Sequence, residues 1–176
     1  MLPGFASIES TKPASSGEVA KRLLSARAVA SPFGSGSPGG SDKDSLRLGR
    51  RYEALVHERV EPLVRERALY RRGPWFEYQF AGERLRFCQP DAVMETPECI
   101  VVVEVKLRHH EGAWRKLRSV YQPVIQRLFP KLPVNVLEVT SAYDPHVSIP
   151  EPVVLLDDVC AAFSPRNDFM VLPWKL

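Results

Sequence analysis

Between Pro90 and Lys106 the chain reads PDAVMETPECIVVVEVK, and Asp91, Glu104 and Lys106 fall where a hairpin would gather them. The intervening residues read as a strand, a tight turn at TPE and a second strand, which brings the start of one strand beside the end of its neighbour. Side chains alternate faces along a strand, so Glu104 and Lys106 share a side with Ile100 and Val102, while Val101, Val103 and Val105 point the other way. Two carboxylates and an ammonium at one point suit a definite chemistry. Hard oxygen ligands hold Mg²⁺ or Mn²⁺ through one or two carboxylates, water and substrate phosphate. With Asp91, Glu104 and the Val105 carbonyl as ligands, such a metal would activate water and neutralise charge building on a phosphodiester. Lys106 would then position the nucleophile or stabilise the transition state.

The elements that must position these groups are legible as patterns. From Leu46 the stretch LRLGRRYEALVHERVEPLVRERALY repeats Tyr52, Val56, Val60, Leu63 and Val64 at helical spacing, with a bend expected near Pro62 and with Glu53 and His57 one turn apart. After Gly73 and Pro74, WFEYQF, RLRFC, DAVME and the apolar run ending at Lys106 read as strands. A helix is expected over residues 113–128, with Trp114, Leu117, Tyr121, Val124 and Leu128 on its apolar side and Pro123 as a kink. PVNVLEVT and PVVLL read as further strands, and Asp157 or Asp158 as the cap of a short helix through VCAAF. Around the first of these helices' successors the charge is one-sided. KLRHHEGAWRKLR sets Lys106, Arg108, Arg115, Lys116 and Arg118 against Glu111 alone, a bias suited to a polyanion, with His109 and His110 in an exposed loop beside the site.

Composition narrows the class. The chain has 176 residues, of which 44% are hydrophobic and 26% charged, with a formal net charge of +3, as expected for one soluble domain. No run approaches the roughly 18 apolar residues of a membrane span, and no secretory signal is read at the start. Cys88, Cys99 and Cys160 lack CxxC spacing, which implies core thiols in a reducing compartment rather than disulfides or a zinc site. Residues 1–45 read as a flexible Ser/Gly/Pro-rich arm. Within it Gly34, Gly36 and Gly39 match GxGxxG without the required strand and helix. SSGEVAKRLLSARAVA is expected to form a short helix, with Val19, Leu23 and Leu24 on one side, that could dock on a protein partner.

The pair PD at Pro90 and Asp91, followed after a hairpin by EVK at Glu104 to Lys106, resembles the PD-(D/E)xK nuclease superfamily. GRRYE at residues 49–53 is similar to the Gly and Glu spacing on the first helix of many members, which implies that Glu53 helps hold a metal or its water. Gln122 stands where RecB-like members carry QxxxY, with Gln126 in place of the Tyr. The resemblance spans roughly residues 46–140 and implies an α/β, restriction-endonuclease-like core, a central mixed sheet flanked by helices in the order αβββαβ, within a domain over residues 46–176. It implies a Mg- or Mn-dependent deoxyribonuclease with Asp91, Glu104, Lys106 and Glu53 as catalytic residues, and with Asp91, Glu104, the Val105 carbonyl and Glu53 at the metal. DNA would contact Arg108, Arg115, Lys116, Arg118 and Gln122. Phage or mobile-element recombination or packaging is the setting implied, in the cytoplasm or in a virion. The competing expectation is a non-catalytic subunit that keeps the fold inside a larger assembly; a third is an RNA-processing member.

Overall fold

The computed structural model describes residues 22–32 and 43–175. In chain order the elements are β1 (Leu23–Val29), α1 (Lys43–Val64), β2 (Leu69–Arg72), β3 (Trp75–Phe80), β4 (Arg86–Cys88), β5 (Ala92–Glu95), β6 (Ile100–Arg108) and α2 (Glu111–Lys116). A π-helical segment (Leu117–Tyr121) leads into α3 (Gln122–Leu128), followed by β7 (Val134–Ala142), β8 (Val153–Leu155), a 3₁₀ turn (Val159–Phe163) and β9 (Phe169–Pro173).

The β-branched run of β6 is suited to a strand covered on both faces, and it lies in the middle of a mixed six-stranded sheet ordered β2-β5-β6-β7-β9-β8. β6 pairs antiparallel with β5 and parallel with β7. The β5–β6 hairpin is closed by Thr96, whose hydroxyl accepts the Cys99 N–H at 2.9 Å while its own N–H donates to the Cys99 carbonyl at 3.0 Å. This sheet flanked by helices is the α/β architecture expected. Val101, Val103 and Val105 pack into one core layer with Tyr52, Val56, Val60 and Val64 of α1. Ile100 and Val102 pack into the other with Leu117, Tyr121, Val124 and Ile125 and with Phe76, Tyr78 and Phe80 of β3. The alternation expected along β6 is therefore observed, and burying this apolar surface at roughly 25 cal/mol per Å² is the main force fixing the register.

Several expectations are corrected. The helix begins at Lys43 rather than Leu46, and Leu63 is 55% exposed, because it lies a quarter turn away from the face defined by Tyr52, Val56, Val60 and Val64. Pro62 sits inside the last turn. The second half of the expected docking helix is instead β1, in a separate three-stranded sheet ordered β1-β3-β4, so residues 23–29 belong to the fold and not to an arm; residues 1–21 and 33–42 lie outside the described residues. A bulge is the reason the period misleads. Leu23 pairs with Phe80 and Ser25 with Gln79, so one extra residue sets Leu23 and Ala26, three apart, against the same core. Arg27, directly opposite Glu77, donates to both its carboxylate oxygens at 2.7 and 3.0 Å. β2 and β9 were not expected as strands.

The helical arm over residues 111–128 accommodates Pro123 by changing its hydrogen-bond period. A proline cannot donate a backbone N–H and its ring crowds the carbonyl four residues back. Here the Gln122 N–H reaches back to the Leu117 carbonyl, a π-type bond, and Pro123 then falls in the first turn of α3, where no donor is needed. Asp158, not Asp157, caps the 3₁₀ turn, accepting the Cys160 N–H at 2.9 Å.

Candidate active site

The hairpin register sets Asp91 across from Glu104, one step beyond the Ala92–Val103 pair. Asp91 Oδ2 accepts the Val105 N–H at 2.7 Å, fixing the carboxylate against β6. Lys106 then folds back over the strand end. Its Nζ is 2.6 Å from Glu104 Oε1, 3.1 Å from the Val105 carbonyl oxygen and 3.8 Å from Asp91 Oδ2. The three oxygens expected to hold a metal thus surround one cation, the ammonium of Lys106.

Glu104 is fully buried, and its Oε2 has no hydrogen-bond partner. A second ammonium, Lys116 Nζ, approaches its Oε1 at 2.9 Å and lies 5.0 Å above the Tyr121 ring. Lys116 was expected as a DNA contact; the docking of the helical arm brings its ammonium to Glu104 while leaving the side chain 46% exposed. Burial, with the Glu104 charge added, pushes Asp91 up to about 6 despite Lys106 and the Val105 N–H. Burial alone would lower Lys106, but Glu104 and Asp91 outweigh it and hold the ammonium above its ordinary range.

Glu53 faces the cluster from α1. Its Oε1 is 3.6 Å from His57 Nε2, and His57 Nδ1 in turn bonds the Tyr70 hydroxyl. The neighbouring His57 outweighs burial and, helped by Lys106, holds the Glu53 carboxyl below its usual range, so it is an anion at neutral pH.

Glu138 was not anticipated. On β7 it pairs in register with Glu104, fully buried, with Oε1 unpartnered and Oε2 2.8 Å from His109 Nδ1. Burial pushes it up to about 8 against the pull of Lys106, and burial also lowers His109, both shifts favouring the uncharged forms. The signal for Glu138 was a lone acid inside the apolar run VLEV, the same pattern as Glu104 inside VVEV. His109, expected in solvent, is buried beside Tyr143 and Phe169; His110 is exposed.

The other expected DNA contacts divide. Arg118 is committed to Glu151, to which it donates at 2.6 and 2.5 Å, and to Gln122 Oε1 and the Asn167 carbonyl, each at 3.0 Å. Gln122 donates to the Val134 carbonyl at 2.8 Å. Both therefore tie the helical arm to its neighbours and are not brought to the cluster. Arg108 and Arg115 are exposed, Arg115 pairing with Glu111 on its own helix at 2.6 Å. Cys88 and Cys99 are buried and Cys160 half-buried, all as free thiols.

Among the described residues no three His, Cys, Asp or Glu side chains form a ready-made ion cage. Mg²⁺ does not require one, since it keeps several waters and is commonly held by one or two carboxylates with substrate phosphate. Two carboxylates and a carbonyl around a cation, with a buried carboxylate oxygen still lacking a partner, fit that mode of binding. No model of a known protein family, no curated protein and no solved structure matches the chain. Among the described residues no helix is long and apolar enough to cross a membrane.

Proposed function

We propose that the chain is a divalent-metal-dependent nuclease that hydrolyses phosphodiester bonds in DNA. The observation that carries this reading is the convergence of Asp91 Oδ2, Glu104 Oε1 and the Val105 carbonyl on one cationic centre at a strand end. Asp91, Glu104 and Val105 would hold Mg²⁺ or Mn²⁺, which when bound polarises the phosphodiester and acidifies a water. Glu104 is the rigid member, held by burial and by Lys116. Asp91 is oriented by the Val105 N–H. Lys106 stays protonated, so once released from the oxygens it supplies a donor to the attacking water or to a phosphoryl oxygen. Glu53, ionised beside His57, serves as the acceptor from the α1 side. Arg108 and Arg115 offer exposed charge to the nucleic-acid backbone, a contact that weakens with salt.

One observation favours a second reading, a non-catalytic subunit that keeps this fold: Lys106 and Lys116 both lie on Glu104 Oε1, balancing its charge without a metal. Incubation of plasmid and linear DNA with Mg²⁺, Mn²⁺ or EDTA separates the two. The nuclease reading expects metal-dependent cleavage that is lost in both Asp91→Ala and Lys106→Ala. Cleavage absent under all conditions, or equal in variants and parent, overturns it. An RNA substrate in the same competition sorts DNA from RNA preference.

A further inference from the structure

The two histidines that follow β6 are sent to opposite sides. His109 turns inward: its N–H donates to the Ala142 carbonyl at 2.9 Å, and its ring meets Glu138, the in-register neighbour of Glu104. His110 stays exposed, and its carbonyl accepts the Ala113 N–H at 3.0 Å, so the backbone on both sides of it is fixed. Its ring does not cap α2 and bonds no described residue. The ring nonetheless has a prepared seat. A Cβ on Gly112 would lie 2.8 Å from His110 Nδ1 and 2.9 Å from Cε1, closer than such atoms pack. Glycine weakens a helix relative to alanine, and Gly112 lacks the positive φ found at Gly73 and Gly82. What the missing side chain provides is room for the imidazole. Partial burial, with the Lys106 ammonium added, lowers His110 below its ordinary value while Glu104 opposes them, so the ring is uncharged at neutral pH and lies within the field of the cluster.

We infer that His110 is a further catalytic residue, donating a ring N–H to a non-bridging oxygen of the phosphate that is cut, and that Gly112 is the residue that positions it. The inference rests on the nuclease reading and adds a group to that site. Charge builds on the non-bridging oxygens as a phosphodiester is attacked, and donors already aimed at them meet it best. Lys106 supplies one donor once it leaves Glu104; His110, four residues on, supplies a second that has no carboxylate to leave. A neutral imidazole always carries one N–H, so the contact needs no proton transfer.

The test compares cleavage by variants of the full chain at saturating and limiting DNA, with Mg²⁺ or Mn²⁺. His110→Ala is expected to lower kcat by about 10²-fold with KM within about twofold, and His110→Gln, which keeps a donor, to recover part of the loss. Gly112→Ala should lower kcat by about fivefold or more by displacing the ring, while the melting temperature stays level or rises. In a His110→Ala background the same glycine change should leave kcat where it was, since the ring it would displace is gone. A second readout needs no cleavage. The Cε1–H signal of His110, identified by its absence from His110→Gln, is followed by NMR while single-stranded and duplex oligonucleotides are added with Ca²⁺, which takes oxygen ligands as Mg²⁺ does. It is expected to shift with DNA, and to lie elsewhere in Gly112→Ala before DNA is added. Unchanged kcat in His110→Ala, or a signal that DNA does not move, overturns the inference; where metal-dependent cleavage persists, the nuclease reading stands without it. A signal that DNA moves in a chain that cleaves nothing removes the nuclease reading and leaves the phosphate contact standing.

Discussion

At Arg118 the guanidinium donates to Glu151, Gln122 and Asn167, and the Trp114 indole adds a further bond to Glu151 at 2.5 Å. At Lys106 the ammonium is ringed by Glu104, Val105 and Asp91, yet Glu104 Oε2 and, on the next strand, Glu138 Oε1 are buried without partners. The first cluster fastens the helical arm to the loops beyond β7. The second concentrates like charges in a place where water cannot reach all of them, and it pushes the Asp91 and Glu138 carboxyls up. Buried charge with geometry this incomplete does little for stability, since losing water costs each ion several kcal/mol. The contrast separates a clamp from the cluster proposed as the active site.

That contrast can be broken by substitution. The largest effect is expected at this cluster: Asp91→Asn and Glu104→Gln should each lower metal-dependent cleavage by roughly 10²–10³-fold, while the melting temperature stays level or rises in Asp91→Asn, whose carboxyl is pushed up by burial, and falls in Glu104→Gln, which strands the Lys106 and Lys116 ammoniums. Cleavage rates and thermal melts on the same preparations check both halves.

Next comes Glu138→Gln. The unfolded carboxyl titrates near the ordinary 4.5 and the folded one at about 8, so between those values the folded chain keeps a proton that the unfolded chain has lost. Stability therefore falls as pH rises through that window, by up to a few kcal/mol. The glutamine variant should flatten the slope of unfolding free energy between pH 5 and 8, as denaturant titrations would show; an unchanged slope would place the titration elsewhere. Asp91 adds a fall of the same sign, from its ordinary 3.8 up to about 6.

At the clamp, Arg118→Ala should cost about 1–3 kcal/mol and lower the melting temperature, with cleavage unaffected well below the melt. The smallest effect belongs to Arg115→Ala. Its exposed pair with Glu111 is worth no more than about 0.5 kcal/mol, but if Arg115 meets a phosphate the salt dependence of DNA binding should become shallower by about 0.9 in log–log slope.

What the sequence disclosed follows from the range of each interaction. The two faces of β6 were legible because alternation is a property of one strand, and the Asp91–Glu104 proximity because a short hairpin fixes it. Glu138 could be seen as an acid in an apolar strand, but that β7 lies parallel to β6 with Glu138 beside Glu104 depends on a crossover that local pattern does not specify. Long side chains were the least legible. Lys116, Arg118 and Gln122 all lie on one basic helical stretch, and only the docking of that stretch sends the first to Glu104, the second to Glu151 and the third to Val134. β1 was misread because its bulge imitates a helical period.

β1 also bears on how the chain can be shortened. It covers one edge of β3 from Leu23↔Phe80 to Val29↔Trp75. A trimmed version starting at Lys43, as a Ser/Gly/Pro-rich leader would invite, leaves that row of amides and carbonyls bare beside Phe76, Tyr78 and Phe80, an open template for a neighbour's strand. Such fragments should stick to one another on gel filtration where the full chain does not, and their insolubility would report a lost seam rather than a failure of the proposed activity.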